Sequence, residues 1–335
     1  MNVFCSLAIT LVCGLFGASI AQALGIPSAW LLGPLFSSVC LALLKWPIVF
    51  PLWLQNITVF VIAINIGGAL DVHAVSSIWR WFPSILGMFF SLWLTFISVC
   101  FVLRRIGGFN KSSAFLAAYP GHLVLMLQFA NGSKKDLHAI TILQSLRVVF
   151  LVTVMPVMLH GMSFNEVNLK DEYINWGAVP VVVAVAFFGI VIVHYIRLPA
   201  AIMIGAILGA MLASISGVSL GGLPSEIEKT ILLFTGVMIG SRFVNADWRM
   251  LVNMLPISIL TIILALGISS AAALFVGKSL GLPFGQLLLA YAPGAAEVMA
   301  IISLTTGYDS SFVGVHHVVR LLLMAVLLPL VIPKE

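Results

Sequence analysis

Tyr119-Pro120-Gly121-His122, followed by Asp136, Gln144 and Arg147, recurs 173 residues later as Ala292-Pro293-Gly294-Ala295, followed by Asp309, His317 and Arg320. In both copies a Pro-Gly break interrupts an apolar segment, and the next apolar segment carries an arginine about three turns in. Unpaired backbone and buried charge are each costly in lipid, so their joint recurrence needs a structural reason.

The same register extends outward. A shift of 173 superposes Gly67 on Gly240, Pro83 on Pro256, Arg105 on Lys278, Gly108 on Gly281 and Pro156 on Pro329; a shift of 172 brings Pro27 onto Pro199 and Gly33 onto Gly205. Leucine matches carry little weight in an apolar chain, but Gly, Pro and charge matches in one register indicate a duplication. The reading is one repeat over residues 1–160, a linker loop over 161–173 and a second repeat over 174–335.

Composition sets the class. The chain has 335 residues, of which 61% are hydrophobic and 8% charged, with a mean hydropathy of +1.18. A soluble domain would carry roughly 25% charged residues. An all-α polytopic membrane protein is expected, with the lipid bilayer as its partner. The sixteen Lys and Arg are scattered in short loops and form no basic stripe, so no nucleic-acid partner is expected. Cys5, Cys13, Cys40 and Cys100 lie in apolar runs without CxxC spacing and read as buried free thiols. The first apolar run lacks a basic leader and reads as a retained helix.

Apolar segments fall at 3–24, 27–44, 52–70, 82–103, 112–130 and 137–159. A second set falls at 174–196, 198–219, 227–243, 255–277, 284–304 and 311–332. If all twelve cross, basic residues divide eight against six. If the Pro-Gly segment of each half returns to the side it left, Lys45, Arg104, Arg105, Lys111, Lys134, Lys135, Arg197, Arg242, Arg249 and Lys334 share a side against Arg80, Lys170, Lys229 and Lys278. Ten against four obeys the positive-inside rule. The expected fold is therefore two repeats of about five transmembrane helices plus one re-entrant or broken hairpin each, in inverted topology. The N-terminus is expected to be cytoplasmic.

The breaks are also the candidate site. Pro120 and Pro293 each remove a helical hydrogen bond, and Gly121 and Gly294 permit a turn. The segments from His122 and from Ala295 then start half-helices whose free amides can face an anion; a plain kink is the alternative. Arg147 and Arg320 each lie eleven residues past an aspartate, about 16 Å of helix and roughly half the hydrocarbon thickness. Their partner is either protein, at the carbonyls of the break or Glu297, or an anionic substrate held bidentately. Gln144 and His317, three residues earlier, share the face of their arginine. Glu297 has Val124 as its counterpart and is either a coupling carboxylate or a fixed counter-charge. Asp136 and Asp309 read as helix N-caps. His316 and His317 point about 100° apart and cannot share one ligand. Gly205 and Gly209 form a GxxxG packing face.

A duplicated Pro-Gly element followed by a helix reading Asp…Gln-x-x-Arg resembles the AbrB-type duplicated bacterial membrane proteins, over nearly the whole chain. The resemblance implies a bacterial inner-membrane location, and members often carry an "ammonia monooxygenase" or AbrB-regulator label. They commonly read Ser-Pro-Gly-Gly at the break, where this chain has Tyr119-Pro120-Gly121-His122 and Ala292-Pro293-Gly294-Ala295, and Gln where it has His317.

Three functions are weighed. Opposed repeats, two breaks and two midplane arginines are the pattern of a secondary transporter for a small anionic solute bound between the repeats. A membrane-embedded oxidoreductase would need a metal centre, and the chain offers no HxH, no HxxxH and no carboxylate-histidine cluster. A membrane regulator would act on gene expression indirectly. The expectation is a permease, not an enzyme, without cofactor or metal, taking a small-molecule substrate. A homo-oligomer is compatible with it.

Overall fold

The computed structural model describes residues 3–70, 72–119, 134–160, 174–198, 200–244, 246–294 and 296–331, and these contain helices but no strand. The helices are α1 (Val3–Ala23), α2 (Ala29–Leu43), α3 (Leu52–Gly68), α4 (Val72–Arg105), α5 (Lys111–Ala118) and α6 (Lys134–His160). After the linker come α7 (Val179–Tyr195), α8 (Ala201–Ile215), α9 (Ser225–Gly240), α10 (Trp248–Leu280), α11 (Phe284–Tyr291), α12 (Ala296–Thr305) and α13 (Ser310–Val331). Four of the described helices, α1, α10 and stretches of α4 and α6, are long and apolar enough to cross a membrane. Their outer faces carry fully apolar side chains such as Phe4, Phe90, Phe101 and Phe275, as lipid contact requires. This is a helical membrane protein.

Helices α4 and α10 run 34 and 33 residues, well beyond the apolar segments that predict them. Hydropathy stops at polar residues such as Arg80 and Asn253, whereas helical hydrogen bonds do not.

Local geometry recurs at the sequence spacing. Left-handed backbone occurs at Gly25, Ser28 and Lys45, and again 172 residues later at Arg197, Ala200 and Gly217. Ser28 and Ala200 both hold φ 51°, a conformation costing non-glycine residues about 1–2 kcal/mol, and each begins the second helix of its half. Gly108 and Gly281, 173 apart, sit at φ 69° and 68°.

Packing recurs too. A Cβ on Gly17 would strike the Gly33 backbone, and one on Gly189 would strike Gly205, so α1 on α2 and α7 on α8 approach to backbone contact. Gly209 meets Ala186 in the same seam, as the GxxxG reading expects. Between halves, Gly240 of α9 abuts Leu35 and Ser38 of α2, while Gly67 of α3 abuts Ile207 and Ala210 of α8, which are the corresponding positions. Helices α2 and α9 run in the same direction. Lys229 in the first turn of α9 lies 5.8 Å from the ring of Trp30 in the first turn of α2, and Gly240 meets Ser38 near their ends.

Two expectations are corrected. The cysteines are free but not buried: Cys5 and Cys40 are exposed, Cys13 and Cys100 half-buried. In a membrane protein an apolar run faces lipid as readily as core. Asp136 is not an N-cap, because α6 begins two residues earlier, at Lys134.

Candidate functional site

Segment 284–304 is broken as its sequence predicts. Helix α11 ends at Tyr291, and α12 begins at Ala296. The chain then folds back: Tyr308, just beyond α12, packs its ring on Gly285 at the start of α11, so tightly that a Cβ there would overlap it. Helices α11 and α12 are the arms of a hairpin whose tip is Ala292-Pro293-Gly294.

Proline chemistry explains what surrounds that tip. Pro293 has no N–H, so the carbonyl of Leu289, four residues back, loses its helical donor. His317 Nε2 supplies one at 3.1 Å. Pro120 likewise deprives Leu116, and Gln144 Nε2 donates to that carbonyl at 3.0 Å. The two side chains occupy equivalent positions and do the same work. A buried carbonyl without a donor costs about 1–3 kcal/mol, which is why a polar side chain stands at each place.

Arg320 completes the second tip. Its Nη1 donates to Ala292 O at 2.6 Å and its Nη2 to Gly294 O at 2.7 Å. Gly294 N also donates to Ala292 O at 2.9 Å, closing a tight turn over Pro293. Ser269 of α10 donates to Tyr291 O at 3.3 Å. Of the partners expected for these arginines, the carbonyls of the break are thus present for Arg320. Asp309 caps α13, accepting from Phe312 N at 3.0 Å.

Arg147 is placed differently. It is half-buried on α6, and its Nε has no hydrogen-bond partner. With Pro293 of the other half it lines a cavity of about 20 Å³, walled by Leu92, Thr95, Phe96, Val99 and Leu103 of α4, Ala117 and Ala118 of α5, Leu143 of α6, and Thr261 and Ala265 of α10. Gly294 packs against Leu151, one turn further along α6. One arginine holds the tip of its own half; the other faces the tip of the opposite half.

A third polar cluster was not anticipated. Ser84 of α4 lies 3.0 Å from His316 Nε2 and 3.2 Å from the Tyr291 hydroxyl, and Tyr291 donates to Ser84 O at 2.7 Å. His316 Nδ1 lies 2.8 Å from Phe312 O. A carbonyl only accepts, so Nδ1 carries the hydrogen and the neutral ring accepts from Ser84 at Nε2. All three side chains are fully buried. The signal for it was a serine directly after an intrahelical proline, opposite a His-His pair.

Pro120, Gly121, His122 and Ala295 lie outside the described residues, as do the side chains of Asp136 and Glu297. Among the described residues no three His, Cys, Asp or Glu side chains gather at a point that could hold a metal.

A helical membrane bundle with a broken hairpin clamped by a buried arginine is the class these observations define. The chain belongs to the family described as "Transition state regulatory protein AbrB", whose sequence model matches residues 1–70 and residues 30–334. It is similar to "Uncharacterized protein YhjN" of Bacillus subtilis (strain 168), with 23% identity over 93% of this chain and 88% of that protein. It is also similar to "Putative regulator AbrB" of Escherichia coli (strain K12), with 23% identity over 89% of this chain and 87% of that protein.

Proposed function

We propose that the protein is a secondary transporter for a small anionic solute, which binds at mid-bilayer between two inverted repeats. The observation that carries this is the cavity where Arg147 of one half faces Pro293 in the hairpin tip of the other. A cation at membrane depth beside an interrupted helix is how such permeases hold anions.

Several features support the inverted arrangement. The second helix of each half packs against the third helix of the other, and the α2–α9 pair is parallel. Consecutive helices joined by short loops run oppositely, so a parallel α2–α9 pair favours halves that point in opposite senses. The fold-back of α12 on α11 fits a re-entrant second Pro-Gly segment, the arrangement under which the basic loops divide ten against four.

In this reading Pro120, Gly121, His122, Gln144 and Arg147 from one half, with Pro293, Gly294, Ala295, His317 and Arg320 from the other, build the substrate site. Glu297, whose backbone lies in the first turn of α12, is the residue assigned in this reading to couple uptake to a proton or cation. The protein performs no chemistry on the solute. The name of the Escherichia coli relative favours a regulator as the second reading; here regulation follows from the cellular pool of the transported solute.

Uptake of labelled small anions into proteoliposomes, with and without imposed proton and sodium gradients, tests the proposal. Saturable uptake that Arg147→Gln abolishes is the expected result. Absence of uptake for every carboxylate and inorganic anion, by protein that unfolds cooperatively, overturns it.

A further inference from the structure

The two arginines occupy equivalent positions, 173 residues apart, but their surroundings differ. Arg320 spends its guanidinium on two carbonyls. Among the described residues no hydrogen bond from Arg147 occurs, so the contrast lies in the two Nη groups, which in Arg320 hold carbonyls.

The difference has a cause in the sequence. Where the second half has Tyr291 and His316, the first has Ala118 and Leu143. The larger pair fills its space and bonds Ser84; the smaller pair lines the cavity at Arg147. That cavity, about 20 Å³, exceeds the roughly 10–15 Å³ that one water-sized occupant needs.

A second group stands ready there. Thr10, Thr58, Thr153, Thr235 and Thr306 each donate to the carbonyl four residues back in their own helix. Thr95, 5% exposed in mid-helix, does not; its Oγ1 is buried without a partner. It lines the same cavity. Thr261 already donates to Ser258 O at 2.9 Å, so its hydroxyl is not a free donor.

We propose that Arg147 and the Thr95 hydroxyl form a subsite for one monovalent anionic group no larger than a carboxylate, whereas Arg320 is a positioning residue for the hairpin tip. One guanidinium and one hydroxyl balance a single negative charge. The remaining wall is apolar and penalises a divalent ion, which must shed more hydration. This deepens the transporter reading by dividing labour between the arginines, and it rests on that reading only for the identity of the occupant as substrate.

The test measures binding without flux. The full chain, purified in detergent, is unfolded thermally in chloride, formate or acetate, against sulfate at equal ionic strength. Chloride or formate is expected to raise the melting temperature saturably. Thr95→Val and Arg147→Gln are each expected to raise the half-saturating concentration by roughly ten- to a hundredfold, the loss of a hydrogen bond to a charged group. Without anion, Thr95→Val should melt no lower than the parent, since a buried unpaired hydroxyl has been removed. Response to chloride alone assigns a halide subsite; response to formate and acetate assigns the carboxylate end of an organic substrate. No saturable shift in the parent, or wild-type half-saturation in Thr95→Val, overturns the proposal, and this variant decides alone if Arg147→Gln does not fold. Should the anion shifts behave as stated while uptake is nil, the subsite stands and the transporter reading falls.

Discussion

Arg320 Nη1 lies 2.6 Å from the carbonyl oxygen of Ala292, across 28 residues of chain. With Nη2 on Gly294, one planar side chain bridges two carbonyls of a turn whose own backbone supplies a donor to Ala292 O alone. Arg320→Met should therefore reduce stability by about 1–3 kcal/mol, because the Gly294 carbonyl loses its guanidinium donor and Ala292 O keeps only its bond from Gly294 N. Arg320→Lys should recover only part, because an ammonium lacks the fork that spans two oxygens. Thermal unfolding in detergent measures both; equal stability of the two variants would contradict the bidentate role.

His317 replaces the donor that Pro293 lacks, as Gln144 does for Pro120. His317→Gln should keep that bond and hold stability within about 1 kcal/mol of the parent. His317→Leu should lose about 1–3 kcal/mol through the unpaired Leu289 carbonyl. Chemical unfolding of the two variants side by side distinguishes donor loss from packing.

Tyr291→Phe removes the hydroxyl that donates to Ser84 O at 2.7 Å and preserves the ring. A decrease of about 1–2 kcal/mol is expected. The lesion should weaken the docking of α4 on α11 and α13, so hydrogen exchange should rise around Ser84 before it rises in α1 and α2. Uniform exchange across both regions would argue against a local tie.

Gly33 and Gly205 stand at equivalent seams, each against the backbone of the preceding helix. Gly33→Leu and Gly205→Leu should both abolish stable folding, since overpacking costs about 1–3 kcal/mol even where side chains can yield, and here the obstacle is main chain. Size-exclusion profiles of the expressed variants report it. Tolerance at either site would show that the helices can separate there.

Opposed repeats place equivalent loops on opposite sides of the bilayer. In a background lacking the four native cysteines, Lys111→Cys should react with an impermeant maleimide only from the cytoplasmic face. Lys278→Cys should react only from the outer face. Labelling of both from one face would remove the inverted arrangement and with it the proposed location of the site.

Much of this was legible before any coordinates. The membrane class follows from composition, and the helix positions follow from hydropathy to within a few residues, except where α4 and α10 continue through polar turns. The break at Pro293 and the cap at Asp309 were readable because they depend on covalent chemistry: a missing N–H and a side chain within reach of its own helix. The partner of Leu289 O was nearly readable. Proline fixes which carbonyl is orphaned, and only the identity of the rescuing residue required the fold.

The asymmetry of the arginines was not readable in this way. Arg147 and Arg320 look equivalent along the chain, and Ala118 for Tyr291 and Leu143 for His316 are two unconnected differences until they are brought together in space. Nor does sequence distinguish Thr95 from the threonines that bond their own helix. Composition and periodicity, properties of neighbours in the chain, determined that this protein enters a membrane and where its helices break. Which cation is satisfied and which faces a cavity was decided by side chains from α4, α5, α6 and α10 meeting across long stretches of chain, because packing volume and hydrogen-bond pairing depend on neighbours in space.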